Sequence, residues 1–193
     1  MALKPAIFLD KDGTLLVNEA YNVDPKRMRF EAGVEAGLRR LAGTRAPMFV
    51  ITNQPGVALG LFEEDALIGV HLQLARMFET AHAHLNGFYY CPHLARGVRR
   101  AYALPCTCRK PQPGLLRQAA REHDLDLERS WFIGDILDDV EAGSRAGCRT
   151  VLLNNGHETE WARGPYRDPD YMVGNFEQAA ALVAVALRAK EVA

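Results

Sequence analysis

Short apolar runs that stop abruptly at polar residues constrain this 193-residue chain more than any other feature. Residues 6–9 (Ala-Ile-Phe-Leu) stop at Asp10, residues 48–51 (Met-Phe-Val-Ile) at Thr52-Asn53, and residues 131–133 (Trp-Phe-Ile) at Gly134-Asp135. Each run is continuously apolar, the pattern of a strand buried on both faces. Residues 88–90, 150–153 and 171–173 read as three further strands. Helical periods lie between them. Val34, Leu38 and Leu41 share one face of a helix from Glu31, with Gly33 and Gly37 working against it. Leu67, Val70, Leu74, Phe78, Ala81 and Leu85 recur every three or four residues, which predicts a helix over 62–85. A short helix is expected after Pro113, another over 138–146 closed by Gly147, and an Ala-rich one at the end of the chain. Residues 22–25 read as a turn and 91–113 as irregular.

Strands that alternate with helices pair in parallel. The expected fold class is therefore α/β, with a doubly wound, mostly parallel, Rossmann-like sheet. Such sheets bind ligands beyond the carboxyl ends of their strands. Asp10, Thr52 and Asp135 are thus predicted to meet on one rim. No internal repeat or linker divides the sequence, so a single domain over 1–193 is expected. A domain of this size buries roughly 70% of its unfolded surface and needs no covalent staples.

Composition narrows the partners. Hydrophobic residues make up 48%, charged residues 24%, and the net charge is -1, against a broad basic surface for nucleic acid. The first apolar stretch is too short for a signal segment, and the run at 179–187 is far short of a bilayer span. The expectation is a cytoplasmic monomer with neither nucleic-acid nor membrane partners.

The chemistry begins at Asp10-Lys-Asp-Gly-Thr. A carboxylate can attack phosphorus when a cation suppresses the repulsion between two anions. The second carboxylate, Asp12, can serve as acid and then base. Gly13 permits a tight turn and Thr14 can fix it. Thr52 and Asn53 could hold phosphoryl oxygens, and Arg109 and Lys110 offer cations for phosphate. Asp135, with Asp139 four residues later, could supply magnesium ligands. Read singly, each segment also fits a turn, a cap or a solvated charge; their combination decides between the readings.

A second constellation is Cys91-Pro-His93 followed, within eighteen residues, by Cys106-Thr-Cys108. Three thiolates and one imidazole make a closed tetrahedral zinc set. In a cytosolic chain a disulfide is disfavoured, and Cys148 reads as a small buried residue. A zinc that clamps Cys108 would set the positions of the adjoining Arg109 and Lys110. His157, after Asn-Asn-Gly, is loop-like and could line the rim.

Together these motifs resemble the haloacid dehalogenase superfamily of phosphohydrolases. The match runs through Asp10 to Thr14, Thr52, Lys110, and Gly134-Asp135 to Asp139, in that family's chain order. The resemblance implies that Asp10 is phosphorylated and that Asp12 is acid and base. It implies a magnesium site made by Asp10, the Asp12 carbonyl and Asp135. Thr52 and Lys110 would secure the phosphoryl group, and Asp139 would support them. Dehalogenases of the superfamily lack the second Asp, so Asp12 argues against their chemistry.

The zinc set followed by Arg-Lys-Pro-x-Pro-Gly, and Thr52-Asn53-Gln54 followed by Gly56, are similar to the D-glycero-D-manno-heptose 1,7-bisphosphate 7-phosphatases and the related histidinol-phosphate phosphatases. Those enzymes have a minimal cap, its work done by a zinc-bound loop, here at about 91–108. The implied substrate is a small phosphorylated metabolite, a sugar phosphate, with Asn53 and Arg109 among its contacts. The long gap between His93 and Cys106 favours the heptose group. Leu59 and Ile136 depart from that group's usual Arg and Lys and favour histidinol phosphate or another monophosphate. A non-catalytic zinc-binding module is the third reading; it predicts damaged acidic motifs, whereas Asp10, Asp12, Lys110 and Asp135 are all present.

Overall fold

A computed structural model describes residues 3–189; the two ends of the 1–193 span lie outside it. Six strands form one parallel sheet: β1 (Ile7–Leu9), β2 (Met48–Asn53), β3 (Leu85–Cys91), β4 (Trp131–Gly134), β5 (Arg149–Leu153) and β6 (Tyr171–Val173). Their spatial order is β3-β2-β1-β4-β5-β6. Among the described residues, five α-helices connect or follow them: α1 (Val34–Ala42), α2 (Ala66–Thr80), α3 (Gly114–His123), α4 (Leu137–Ala146) and α5 (Phe176–Ala189). This is the expected doubly wound α/β fold.

The continuous apolar runs now have their cause. Ile7, Leu9, Val50, Ile133 and Val151 pack on one face of the sheet with Val34 and Leu38 of α1, Leu74 of α2 and Val183 of α5. Their sequence neighbours Phe8, Phe49, Ile51 and Phe132 pack on the other face with Leu116 and Ala119 of α3 and Ala142 of α4. Both faces are dry, so both sets of alternate residues must be apolar.

One boundary differs from expectation. The predicted helix over 62–85 is shorter, and Leu85 opens β3 instead of closing α2. The chain turns at His82, whose φ of 54° lies in the left-handed region, and the Ala83 N–H returns to the Phe78 carbonyl at 2.9 Å. Leu85 then pairs with Met48 in the sheet, so its place in the helical period is coincidental. Helix α1 also starts later than Glu31, after Gly33 at φ 82°.

Strands β1 and β4 are neighbours, yet the chain leaves β1 toward β2 on one side and β4 toward β5 on the other. Diverging connections open a crevice at the carboxyl ends of these two strands. Asp10 follows β1 and Asp135 follows β4, which places both acids at that crevice.

Candidate active site

The first acidic loop is shaped by its glycine. Gly13 adopts φ 82°, and a Cβ there would sit 2.2 Å from Asp135 Oδ2 and 2.5 Å from His157 Nδ1. Only glycine allows the β1 loop to lie this close to the end of β4. Thr14 closes the same contact, its hydroxyl donating to Asp135 Oδ1 at 2.9 Å. The Asp10 N–H bonds the Ile133 carbonyl at 3.0 Å, so the backbone of Asp10 is fixed by β4.

Asp10, Asp12, Thr52, Asn53, Lys110 and Asp135 all border one cleft of about 180 Å³, with Asn18, Ile136 and His157 completing its wall. Asp10 and Asp135 are buried, whereas the Asp12 side chain is 32% exposed and reaches the opening. Asp12 lies beside the Lys11 ammonium and accepts from Gln54 Nε2 at 3.2 Å. Gln54 also donates to Thr52 Oγ1 at 2.9 Å.

Lys110 is buried at the back. Its ammonium meets Asp10 Oδ1, lies 2.6 Å from Asp139 Oδ1 and donates to the Ile51 carbonyl at 3.1 Å. Burial disfavours the ammonium, but the Asp10 and Asp139 carboxylates outweigh it and hold Lys110 well above its ordinary range. Asp139 also accepts the N–H groups of Asp135 and Ile136, at 3.2 and 3.3 Å, which seals the turn into α4. Asn53 turns inward to the Lys110 backbone through two hydrogen bonds. Arg109 stands apart from the cleft wall; its guanidinium reaches the His93 carbonyl at 3.4 Å.

The carboxylates of Asp10, Asp135 and Asp139 offer oxygens within 4.8 Å of one another. Lys110 is the ammonium among them, so their full ionisation leaves the buried pocket with excess negative charge. Burial, with the Asp10 charge added, accordingly pushes Asp135 above the usual carboxylate range, and burial does the same to Asp139 against the pull of Lys110. A hard divalent cation with oxygen preference relieves this imbalance, so the donor set fits magnesium.

The second cluster forms as its spacing predicts. The Cys91, Cys106 and Cys108 thiols and His93 Nδ1 lie within 4.8 Å of one another. Individual separations are 3.6 Å for Cys91–Cys106, 3.2 Å for Cys91–Cys108 and 3.3 Å for His93–Cys108. Zinc bound at about 2.3 Å from sulfur would set tetrahedral ligands roughly 3.8 Å apart, close to the spacing present. Cys91 is the last residue of β3, and the Gln54 N–H donates to its carbonyl at 2.8 Å. The zinc loop therefore hangs from the same rim as the acidic residues.

Gln54 and Asn155 extend the set expected from sequence, and His157, a rim candidate in the sequence, gains a specific partner. Gln54 bridges Thr52 and Asp12. His157 Nδ1 lies 2.8 Å from Asp135 Oδ2, and Asn155 Nδ2 donates to the Gly13 carbonyl at 2.8 Å. Asn155 and His157 both lie in the loop that leaves an apolar strand, two and four residues past the end of β5, whereas Asp10 and Asp135 follow their strands immediately.

A family of HAD-hydrolase-like proteins matches residues 107–179. A D-glycero-β-D-manno-heptose-1,7-bisphosphate 7-phosphatase of Rhodopseudomonas palustris is 38% identical over 144 residues, 75% of this chain and 80% of that protein. The enzyme of the same name from Pasteurella multocida is 36% identical over 155 residues, 80% of this chain and 84% of that one. The D,D-heptose 1,7-bisphosphate phosphatase of B. bronchiseptica, solved with magnesium and phosphate, superposes with a TM-score of 0.76 at 28% identity, covering 98% of this chain and 99% of that one. The chain belongs to the HAD-like hydrolases, in the branch that its heptose-bisphosphate phosphatase relatives occupy.

Proposed function

We propose that this chain is a phosphoric monoester hydrolase that removes the 7-phosphate of D-glycero-D-manno-heptose 1,7-bisphosphate. One observation carries the reading: Asp10, Lys110, Asp135 and Asp139 converge at the sheet's switch point, in a chain akin to phosphatases of that substrate. The enzyme works as a single-domain cytoplasmic monomer on a small sugar phosphate, without nucleic-acid or membrane partners. Among the described residues no helix is long and apolar enough to cross a membrane.

Lys110 engages Asp10 Oδ1, which leaves Oδ2 to attack phosphorus. The new bond joins Asp10 to phosphorus as the bond to the sugar oxygen breaks, and Asp12 gives that oxygen its proton. Asp12 then takes a proton from water, which attacks the aspartyl phosphate and releases phosphate and free Asp10. Lys110 and Thr52 hold the transferred phosphoryl group, and the Lys110 charge balances it. Magnesium, held by Asp10, the Asp12 carbonyl and Asp135, supplies further charge neutralisation. Zinc, held by Cys91, His93, Cys106 and Cys108, is structural.

Ile136 in the cleft wall favours a second reading, histidinol phosphate or another monophosphate, because it offers no charge to a second phosphate. Phosphate release from a panel of sugar mono- and bisphosphates, with and without magnesium, distinguishes the two. Asp10→Asn is expected to abolish release; full activity in that variant would overturn the nucleophile assignment.

A further inference from the structure

We propose that His157 is a positioning residue that holds the Asp135 carboxylate in its metal-binding orientation. This rests on the reading above that Asp135 is a magnesium ligand.

Both Asp135 oxygens are engaged. Thr14 donates to Oδ1 at 2.9 Å, and His157 Nδ1 lies 2.8 Å from Oδ2. The carboxylate is 3% exposed, and Gly13 packs against it so closely that a Cβ there would overlap both Asp135 and His157. Thr14 alone would leave the carboxylate free to rotate about the bond to its Cγ. The second contact, from the opposite oxygen, stops that rotation. Hydrogen bonds from outside the coordination shell orient metal-binding carboxylates in this way, and their loss weakens metal binding about 10–100-fold.

His157 is itself placed by its surroundings. It sits in the β5–β6 connection, which is fastened at several points. Asn155 Nδ2 bonds the Gly13 carbonyl at 2.8 Å, and Glu158 Oε2 accepts the Leu137 N–H at 2.7 Å. Further along, Arg167 bridges Asp138 and Glu141 of α4 at 3.1 and 2.8 Å. Asp170 Oδ2 accepts the Thr150 N–H at 2.7 Å. The connection thus joins the β1 loop to the start of α4, the two segments that carry Asp10 and Asp135. With Asp135 ionised, Nδ1 is the donor. Only one ring nitrogen serves, and that gives the proposal a chemical signature.

The test measures magnesium affinity by calorimetry on the full-length, zinc-loaded protein without substrate. The amide nitrogen of Asn occupies about the place of His Nδ1, whereas that of Gln occupies about the place of Nε2. His157→Ala and His157→Gln are expected to weaken magnesium binding about 10–100-fold, and His157→Asn to stay within about threefold of wild type. Unchanged affinity in His157→Ala would overturn the proposal, as would His157→Asn weakening binding as much as His157→Ala. Melting temperature and zinc content identify any variant that misfolds, and the Asn–Gln comparison keeps the proposal testable if the Ala variant does. Asp135→Ala separates the two readings. If it binds magnesium like wild type, the metal assignment itself falls and the role of His157 with it. If it loses magnesium while His157→Ala keeps it, only the His157 assignment falls.

Discussion

Asn53 clamps Lys110 by its backbone: Asn53 Nδ2 donates to the Lys110 carbonyl at 3.1 Å, and its Oδ1 accepts the Lys110 N–H at 3.0 Å. The sequence places Asn53 among the substrate contacts; in the structure both polar atoms of its side chain face Lys110. The clamp joins the end of β2 to Lys110, two residues past the Cys-His loop, and so fixes where the ammonium enters the site.

Asn53→Ala should therefore lower kcat rather than substrate affinity. Two hydrogen bonds of about 1 kcal/mol each, if their loss is expressed wholly in Lys110 placement, correspond to roughly 10–100-fold in rate. Steady-state kinetics with saturating magnesium checks this. An unaltered kcat would mean that Asp10, Asp139 and the Ile51 carbonyl hold the ammonium without help.

Zinc held by Cys91, His93, Cys106 and Cys108 would act on the same residue from the other side. Cys108 is two residues before Lys110, and the Arg109 N–H donates to Cys106 Sγ at 3.4 Å. Cys108→Ala removes one of four zinc ligands, and zinc content and kcat are expected to fall together while Asp10 and Asp135 remain in place. A folded, zinc-free Cys108→Ala protein with normal turnover would sink the positioning role.

The centre of the fold was legible because the apolar runs of β1, β2, β4 and β5 are buried on both faces, so burial wrote itself into consecutive residues such as those from Ile7 to Leu9. The rim was legible because Asp10 and Asp135 each follow such a run. Leu85 misled because four-residue spacing from Ala81 cannot tell the last turn of a helix from the first residue of a strand beyond a tight turn. His157 was only half legible. Its loop-like place after Asn154-Asn155-Gly156 marked it as a rim candidate, but its partner Asp135 is 22 positions away, and no local pattern encodes that contact.

Gly13 offers the sharpest steric prediction. Alanine there would have to adopt φ near 82° with its Cβ 2.2 Å from a buried carboxylate oxygen. The backbone conformation alone disfavours a side chain, and Asp135 cannot withdraw without losing Thr14. Gly13→Ala is expected to lose magnesium-dependent activity and to be destabilised by about 1–3 kcal/mol. A crystal structure of the variant should find Asp135 turned away from the Thr14 hydroxyl; an undisturbed Asp135 with full activity would refute the argument.

Glu158 provides a pH-dependent test of how the β5–β6 connection is anchored. Burial raises its pKa, but hydrogen bonds from the N–H groups of Leu137, Glu160 and Trp161 outweigh that and hold the carboxyl below its usual range. The folded state thus favours the ionised form. Its stabilisation is fully present above the unfolded pKa, near about 4.3, and is lost as pH falls through the lower folded value. An anion at the start of α4 also meets the positive end of the helix, worth about 0.3–1 kcal/mol. Glu158→Gln keeps the shape and removes the charge. At pH 7 its melting temperature should fall by about 1–4 °C. The gap should narrow as pH drops below about 4, where wild-type Glu158 also becomes neutral. Thermal unfolding of both proteins across this range decides the matter: a gap that stays constant with pH would mean that Glu158 anchors the connection by shape and hydrogen bonding alone.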